Sequence, residues 1–288
     1  MEDSPVHYVT NCPVGCQGPL EDSAIVLAEG ILRRCTECGQ LLSSASDAQY
    51  LHSLGRFDNT AGTLPDAKSQ ARHDKNSARR LAGIAAAAER GPAAIRLLDV
   101  GCSSGAFLLS ARKLGYAVEG VEPSADAAQT ARDAGLKVFT GYLEQARFPD
   151  ASFDAITLIE IVEHLRDALG LMQECARILK PGGVVLVTTP NAHSWTARAM
   201  GSRWAGFNLN AMGGHISFFN PHSIAMLATR SGLRVHHLET RNVRFFERGQ
   251  SSRPLHVAAK IAAELLNWPA RLVGAGHDLH AYLQRLPQ

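Results

Sequence analysis

The sequence predicts an α/β fold: a doubly wound parallel sheet preceded by a small metal-bound module. Three observations carry this. A short apolar run, Ile95-Arg-Leu-Leu-Asp-Val100, enters a glycine turn and then an amphipathic helix, the order of elements that builds a parallel sheet. A second strand ends on an acid, Glu122, about 20 residues after that turn. Four cysteines, Cys12, Cys16, Cys35 and Cys38, stand ahead of both as two tight pairs.

Bulk properties narrow the classes further. The 288 residues suit one large domain or one domain with an appendage. Lys and Arg number 29 against 27 Asp and Glu, a formal charge of +2, too small for coating nucleic acid by charge alone. Apolar residues make up 45% and charged residues 19%, a globular balance. No window reaches the ~18 uninterrupted apolar residues of a membrane span. The start, Met1-Glu2-Asp3-Ser4-Pro5, is acidic and lacks an apolar stretch, so the expectation is a cytoplasmic protein with reduced cysteines.

The first knuckle is Cys12-Pro-Val-Gly-Cys16 and the second Cys35-Thr-Glu-Cys38-Gly39, with 18 residues between them. That spacing brings four thiolates around one zinc ion. Residues 24–34 read as two short strands turning at Gly30. So small a hairpin does not hold alone in water, and metal coordination supplies what is missing. The arrangement resembles a zinc ribbon, with Zn2+ structural because four thiolates leave no open position. The first knuckle is one residue longer than usual; Gly15 can take the positive φ that this needs. The alternative is four ordinary cysteines.

Residues 43–65 carry no sustained periodicity and read as a connection able to carry a lid. A helical pattern runs from Asp66 to about Arg90 and stops at Gly91-Pro92. Its basic run, Lys68, Arg72, His73, Lys75, Arg79 and Arg80, is either a phosphate-contacting face or a solvated helix surface.

In the turn Gly101-Cys-Ser-Ser-Gly105, the glycines let a ligand approach the backbone at the start of a helix. Asp99 precedes the turn, placed to meet an amino group. Glu122, ending the strand Ala117–Pro123, is placed to accept hydrogen bonds from ribose hydroxyls. Ser124 caps the next helix. The turn lacks the lysine of a phosphate loop, which argues against a triphosphate ligand.

Leu98-Asp-Val-Gly-Cys-Ser-Ser-Gly105 resembles the first motif of class I S-adenosylmethionine-dependent methyltransferases, and Val118-Glu-Gly-Val-Glu-Pro-Ser124 the second. Phe148-Pro-Asp-Ala-Ser-Phe-Asp-Ala-Ile156 and Ile161-Val-Glu-His-Leu165 resemble the segments flanking strand four. Leu179-Lys-Pro-Gly-Gly-Val-Val-Leu-Val-Thr-Thr-Pro-Asn191 resembles the fifth-strand motif. The resemblance covers about residues 93–240 in order. It implies a seven-stranded Rossmann-like sheet with the last strand antiparallel, and S-adenosyl-L-methionine as cofactor. Asp99, Gly101 and Gly105 would line its methionine end, with Cys102 and Ser103 in the same turn. Glu122 would hold the ribose with Pro123 beside the adenosine, and Ile159 and Glu160 would line the ligand after strand four. Tyr142 stands where many members place an acid near adenine, so that contact falls to backbone groups or to Glu144.

Methyl transfer to an alcohol needs a base near the acceptor. His164 after strand four, His193 after strand five and His215 before a later helix are the candidates. For each of His164 and His215 the alternative is a loop-fixing role. Residues 194–214, with Trp195, Trp204, Phe207 and Met212, read as a substrate lid or as a packing cluster under a loop. A helix over 223–231 and a strand over 233–240 follow. After them come a helix over 254–269 and a last strand over 277–283. Residues 241–276, with Arg241, Arg244, Phe245, Phe246 and Arg248, could meet an anionic substrate or a partner subunit in a homodimer.

The expected organisation is a zinc-ribbon-like domain over 1–45, a linker and helix over 46–92, and a methyltransferase domain over 93–288. The expected acceptor is a hydroxyl of a small molecule or sugar, by analogy with ribbon-bearing members of the superfamily. An RNA methyltransferase gripping its substrate through the ribbon is the alternative, against which the near-neutral charge speaks; DNA is not expected. A third reading is a non-catalytic interaction module that keeps the fold.

Overall fold

The computed structural model describes residues 7–57, 62–210, 214–245 and 253–286. At the N-terminal end, β1 (Leu20–Leu27) and β2 (Gly30–Cys35) form an antiparallel hairpin with Leu20 opposite Cys35. β3 (Leu41–Leu42) adds to β2.

The stretch read as a connection contains a helix, α1 (Asp47–Phe57). Its cue is a reciprocal cap: the Gln49 N–H donates to Ser46 Oγ, and the Ser46 N–H donates to Gln49 Oε1 at 2.8 Å. Tyr50 then stacks on Tyr8, ring centroids 3.9 Å apart. Eleven residues are too few for a helix to stand on propensity, so this tertiary contact decides it. α2 (Ala67–Ala87) begins where the cap predicts, with the Ser69 N–H donating to Asp66 Oδ1. Its buried residues Ser77, Leu81, Ile84 and Ala87 repeat every three or four positions.

The large domain then alternates strand and helix: β4 (Arg96–Val100), α3 (Ala106–Lys113), β5 (Ala117–Glu122), α4 (Ala125–Asp133) and β6 (Val138–Thr140). The chain crosses back to β7 (Phe153–Ile159), α5 (Ala168–Ile178) and β8 (Leu179–Pro190). After these come α6 (Trp195–Met200), β9 (Ser217–Phe218), α7 (Pro221–Arg230), β10 (Leu233–Arg241), α8 (Arg253–Leu272) and β11 (Asp278–Arg285). The main sheet has the order β10-β11-β8-β7-β4-β5-β6. β11, the last strand, runs antiparallel to both of its neighbours, as expected.

Successive residues of the central strands serve opposite faces, as the pleat requires. Leu97, Ala155 and Leu186 pack with α2, α3 and α4, whereas Leu98, Ile156 and Val187 pack with α5 and α7. β5 and β7 flank β4, so the chain reverses its direction of travel there. Ligands bind beyond the strand ends at such a reversal.

The four-stranded second sheet has the order β1-β2-β3-β9. The hairpin is thus extended by residues from the far side of the chain, Leu41 pairing with Phe218 and Leu42 with Ser217. The aromatic residues of 194–214 pack beneath this sheet. Trp204 and Phe207 are fully buried with Leu32, Leu41 and Phe218, and their rings meet edge-on at 4.7 Å. Met212, Phe246 and Arg248 lie outside the described residues. No described helix is long and apolar enough to cross a membrane.

Candidate functional site

Cys12, Cys16, Cys35 and Cys38 are buried, and their sulfur atoms lie within 4.8 Å of one another. A tetrahedron with 2.3 Å Zn–S bonds has edges of ~3.8 Å, so this donor set fits zinc after small adjustment; Cys12 and Cys38 already stand 3.5 Å apart. Both knuckles close on a glycine at positive φ, Gly15 at 77° and Gly39 at 69°. The longer first knuckle therefore uses Gly15 as its length requires. The hydrogen bond from Cys38 draws the Cys12 thiol down to about 6, while burial pushes Cys16 up to about 12. One thiolate among three thiols is the pattern of a crowded set of donors that a cation would ionise together. Arg230 on α7 backs the cluster, donating to Val14 O at 3.1 Å and to Glu37 Oε2 at 3.0 Å.

At the ends of β4, β5 and β7 the sequence-predicted cofactor residues converge. Gly101 (φ 73°), Ser103 (φ 49°) and Gly105 (φ 87°) bend the turn back on itself. A Cβ on Gly101 would strike Ile161 Cδ1, so this turn and the loop after β7 touch. Glu122 braces the turn: its Oε2 accepts from the Ser103 N–H at 2.8 Å and its Oε1 from the Ser124 N–H at 2.9 Å. Asp99 is buried and accepts from Thr157 Oγ1 at 2.5 Å. Burial, aided by the nearby Glu122, pushes the Asp99 carboxyl up to about 7. An acid held that way ionises readily once a cation arrives.

Other predicted residues sit differently. The Cys102 side chain lies in the core against Gly120 and Leu108, leaving only its backbone near the turn. Pro123 and Ser103 are exposed, Ile159 is half-buried, and Glu144 faces solvent on a short 3-10 turn, Leu143–Ala146.

The loop after β7 is the second half of the cleft. Glu160 (φ 56°) is reached by solvent yet ringed by protein, and that desolvation raises its carboxyl. Glu163 is buried on the 3-10 turn Val162–His164 and raised well above the carboxylate range by burial and by Glu160. His164 and His215 are brought together, ring centroids 4.8 Å apart and edge-on. Burial pulls His215 down to about 3, and His164 adds to this. His193 is elsewhere: it lines a separate cavity with Trp195, Asn220, His222 and Ala275, and is lowered by burial.

One residue was passed over. Arg80, half-buried on α2, lies close enough to Asp99, Glu160 and His280 for its charge to act on all three. The sequence signal was the basic run, within which the spacing alone does not single out Arg80.

The chain matches the family model described as a methyltransferase domain over residues 71–238. A ubiquinone biosynthesis O-methyltransferase of Xanthomonas oryzae pv. oryzae is 37% identical over 106 residues, 34% of this chain and 44% of that protein. The protein of that name from Alkalilimnicola ehrlichii is 33% identical over 149 residues, 49% of this chain and 60% of its own length. The chain thus spans about half the length of these curated relatives. Among solved structures, the geranyl diphosphate C-methyltransferase of Streptomyces coelicolor A3(2), in complex with Mg2+, geranyl diphosphate and S-adenosyl-L-homocysteine, superposes with a TM-score of 0.54. It is 16% identical, and the alignment covers 82% of this chain and 98% of that one. An S-adenosylmethionine-dependent methyltransferase from Mesorhizobium loti gives a TM-score of 0.50 at 18% identity, covering 71% of this chain and 100% of its own.

Proposed function

The chain belongs to the methyltransferase-domain family, and from that premise we propose that it moves a methyl group from S-adenosylmethionine to a hydroxyl of a small molecule or sugar. One observation carries the reading: buried Asp99, a glycine turn at positive φ and Glu122 meet at the reversal point of the sheet. The donor set suits that cofactor. Asp99, raised to about 7, would ionise against the methionine amino group. Glu122, already holding the turn, would accept from the ribose hydroxyls, and Arg80 offers a cation for the carboxylate. Gly101 and Gly105 keep the backbone open to approach, as do the backbone atoms at Cys102 and Ser103. Pro123, Ile159 and Glu160 would border the adenosine and the methyl end, and Glu144 the adenine edge from its exposed turn.

The cofactor supplies a methyl group on a sulfonium, so the protein has to orient the acceptor in line and keep water out. The acceptor oxygen must also lose its proton. Glu163, His164 and His215 form the group placed for that task, on the loop that touches the cofactor turn through Ile161. His193, in a different cavity, is left with a supporting role near the second cysteine knuckle: a Cβ on Gly39 would stand 3.9 Å from its ring. The name borne by the curated relatives supports oxygen as the atom methylated. Zn2+ on the four cysteines would be structural, holding the hairpin against α7.

Calorimetric titration of zinc-replete protein with S-adenosyl-L-homocysteine tests the reading. Binding that weakens roughly 10–100-fold in Glu122→Ala is expected, the cost of one charged hydrogen-bonding group. Transfer of labelled methyl to members of a panel of phenols and sugars is the second expectation. No binding by the wild type would overturn the enzyme reading, and label appearing only in RNA would overturn the acceptor class.

A further inference from the structure

Glu163 poses a physical problem. It is 1% exposed. Its Oε2 accepts from Thr189 Oγ1 at 3.0 Å, yet its Oε1 has no hydrogen-bond partner among the described residues. No Lys or Arg pairs with it there; the sole charged-pair contact is His215 Nε2, 3.8 Å from Oε1. A buried carboxyl oxygen without a partner is costly.

What faces that oxygen is informative. His215, 3% exposed, uses Nδ1 against the Gly206 carbonyl at 3.2 Å. A carbonyl oxygen can only accept, so Nδ1 carries the hydrogen and Nε2 turns a bare lone pair toward Glu163. A backbone carbonyl on the far nitrogen is how proteins orient a metal-bound imidazole. His164 brings a second ring, and one ligand atom each from Glu163, His164 and His215 lie within 4.8 Å of one another. The Glu160 carboxyl faces Glu163 closely enough to share a proton with it. The 3.8 Å gap is too long for a hydrogen bond. It is near the ~3–3.5 Å between two ligands sharing a first-row cation at ~2.1 Å. The supports are rigid: the Ile216 N–H donates to Glu163 O at 3.0 Å, and Tyr50 Oη donates to His164 O at 3.3 Å.

We propose that Glu160, Glu163, His164 and His215 form a second metal site, distinct from the cysteine cluster, for a first-row divalent cation. Two imidazoles with two carboxylates favour Mn2+, Fe2+ or Co2+ over the all-oxygen preference of Mg2+ and Ca2+. The cation occupies the gap at Glu163 Oε1. Resting on the methyl-transfer reading, it also names what the acceptor must offer: a hydroxyl able to ligate a cation as its alkoxide or phenolate. The two histidines are then ligands and not bases, and the acceptor proton leaves because metal coordination lowers the hydroxyl pKa.

The test uses full-length, zinc-replete protein titrated with Mn2+ and followed by loss of the free-ion electron paramagnetic resonance signal. No acceptor or cofactor is needed, so metal binding is scored apart from methyl transfer. One Mn2+ per chain is expected, with affinity falling about tenfold or more in Glu163→Gln and in Glu160→Gln. His215→Gln should behave alike. Unchanged binding of S-adenosyl-L-homocysteine by the glutamine variants shows that they fold. Absence of Mn2+ and Co2+ binding in wild-type protein that binds S-adenosyl-L-homocysteine would overturn the second site and leave the enzyme reading standing. Binding that survives all three substitutions would overturn it equally.

Discussion

Asp99 sets stability against ligand binding within one side chain. Its folded-state carboxyl lies at about 7, above its unfolded value, because it is buried. The folded protein therefore holds that proton more tightly, and stability falls as pH rises from ~4 to ~7, where the unfolded chain ionises first. Above ~7 the loss is constant, roughly 4 kcal/mol from this group alone. Asp99→Asn should thus raise the Tm of ligand-free protein at pH 8 and change it little at pH 4, read by thermal unfolding. The same substitution should weaken S-adenosyl-L-homocysteine binding, and wild-type affinity should rise between pH 6 and pH 8 as the carboxylate forms; calorimetry at both values checks this. Gly101 is the second residue under strain. At φ 73°, with Ile161 where its Cβ would go, Gly101→Ala should cost about 1–3 kcal/mol of stability and weaken cofactor binding.

At the scale of elements, α7 carries more than its own packing. Arg230 leaves its last turn and reaches the first knuckle at Val14 O and the second at Glu37. Arg230→Met removes both bonds and keeps the stem, so zinc release to a chelator should speed up several-fold with a loss near 1–2 kcal/mol. Trp204 tests the packing under the second sheet: Trp204→Ala should cost about 3–5 kcal/mol, seen as a lower denaturant midpoint. What could be read from sequence divides along the same lines. β4, β5, β7 and β8 announced themselves because each is a local apolar run next to a turn of special chemistry. α1 stayed hidden because its Ser46–Gln49 cap is brief and Tyr50 is held by Tyr8, a contact made at a distance in the chain. β9 is two residues long and exists only because β3 lies beside it. The cleft was half legible: His164 and His215 were each picked out, but their meeting with Glu163 depends on two loops folding together.

The whole molecule is tied at two metal-binding places that share a route. β9 begins two residues after His215 and completes the sheet of the cysteine hairpin. Stripping zinc under reducing conditions should therefore lower the Tm and also weaken Mn2+ binding at the glutamate–histidine site, measured by the same resonance titration. A stable Mn2+ affinity after zinc removal would show the two places to be independent. Charge changes with the metal as well: four thiolates with one zinc ion add about −2 to the formal +2.

The pairing of Leu42 with Ser217 also dictates an order of events during synthesis. The knuckles and the hairpin are complete once about 40 residues have left the ribosome, and zinc can close them then. The fourth strand is translated 175 residues later, the separation between positions 42 and 217. Bringing ends that far apart together is slow, and its entropic cost grows only with the logarithm of the intervening length. Until then Leu41 and Leu42 stand at an unpaired strand edge, open to other nascent chains. The early metal clasp keeps that edge short and in register while the rest of the protein is made.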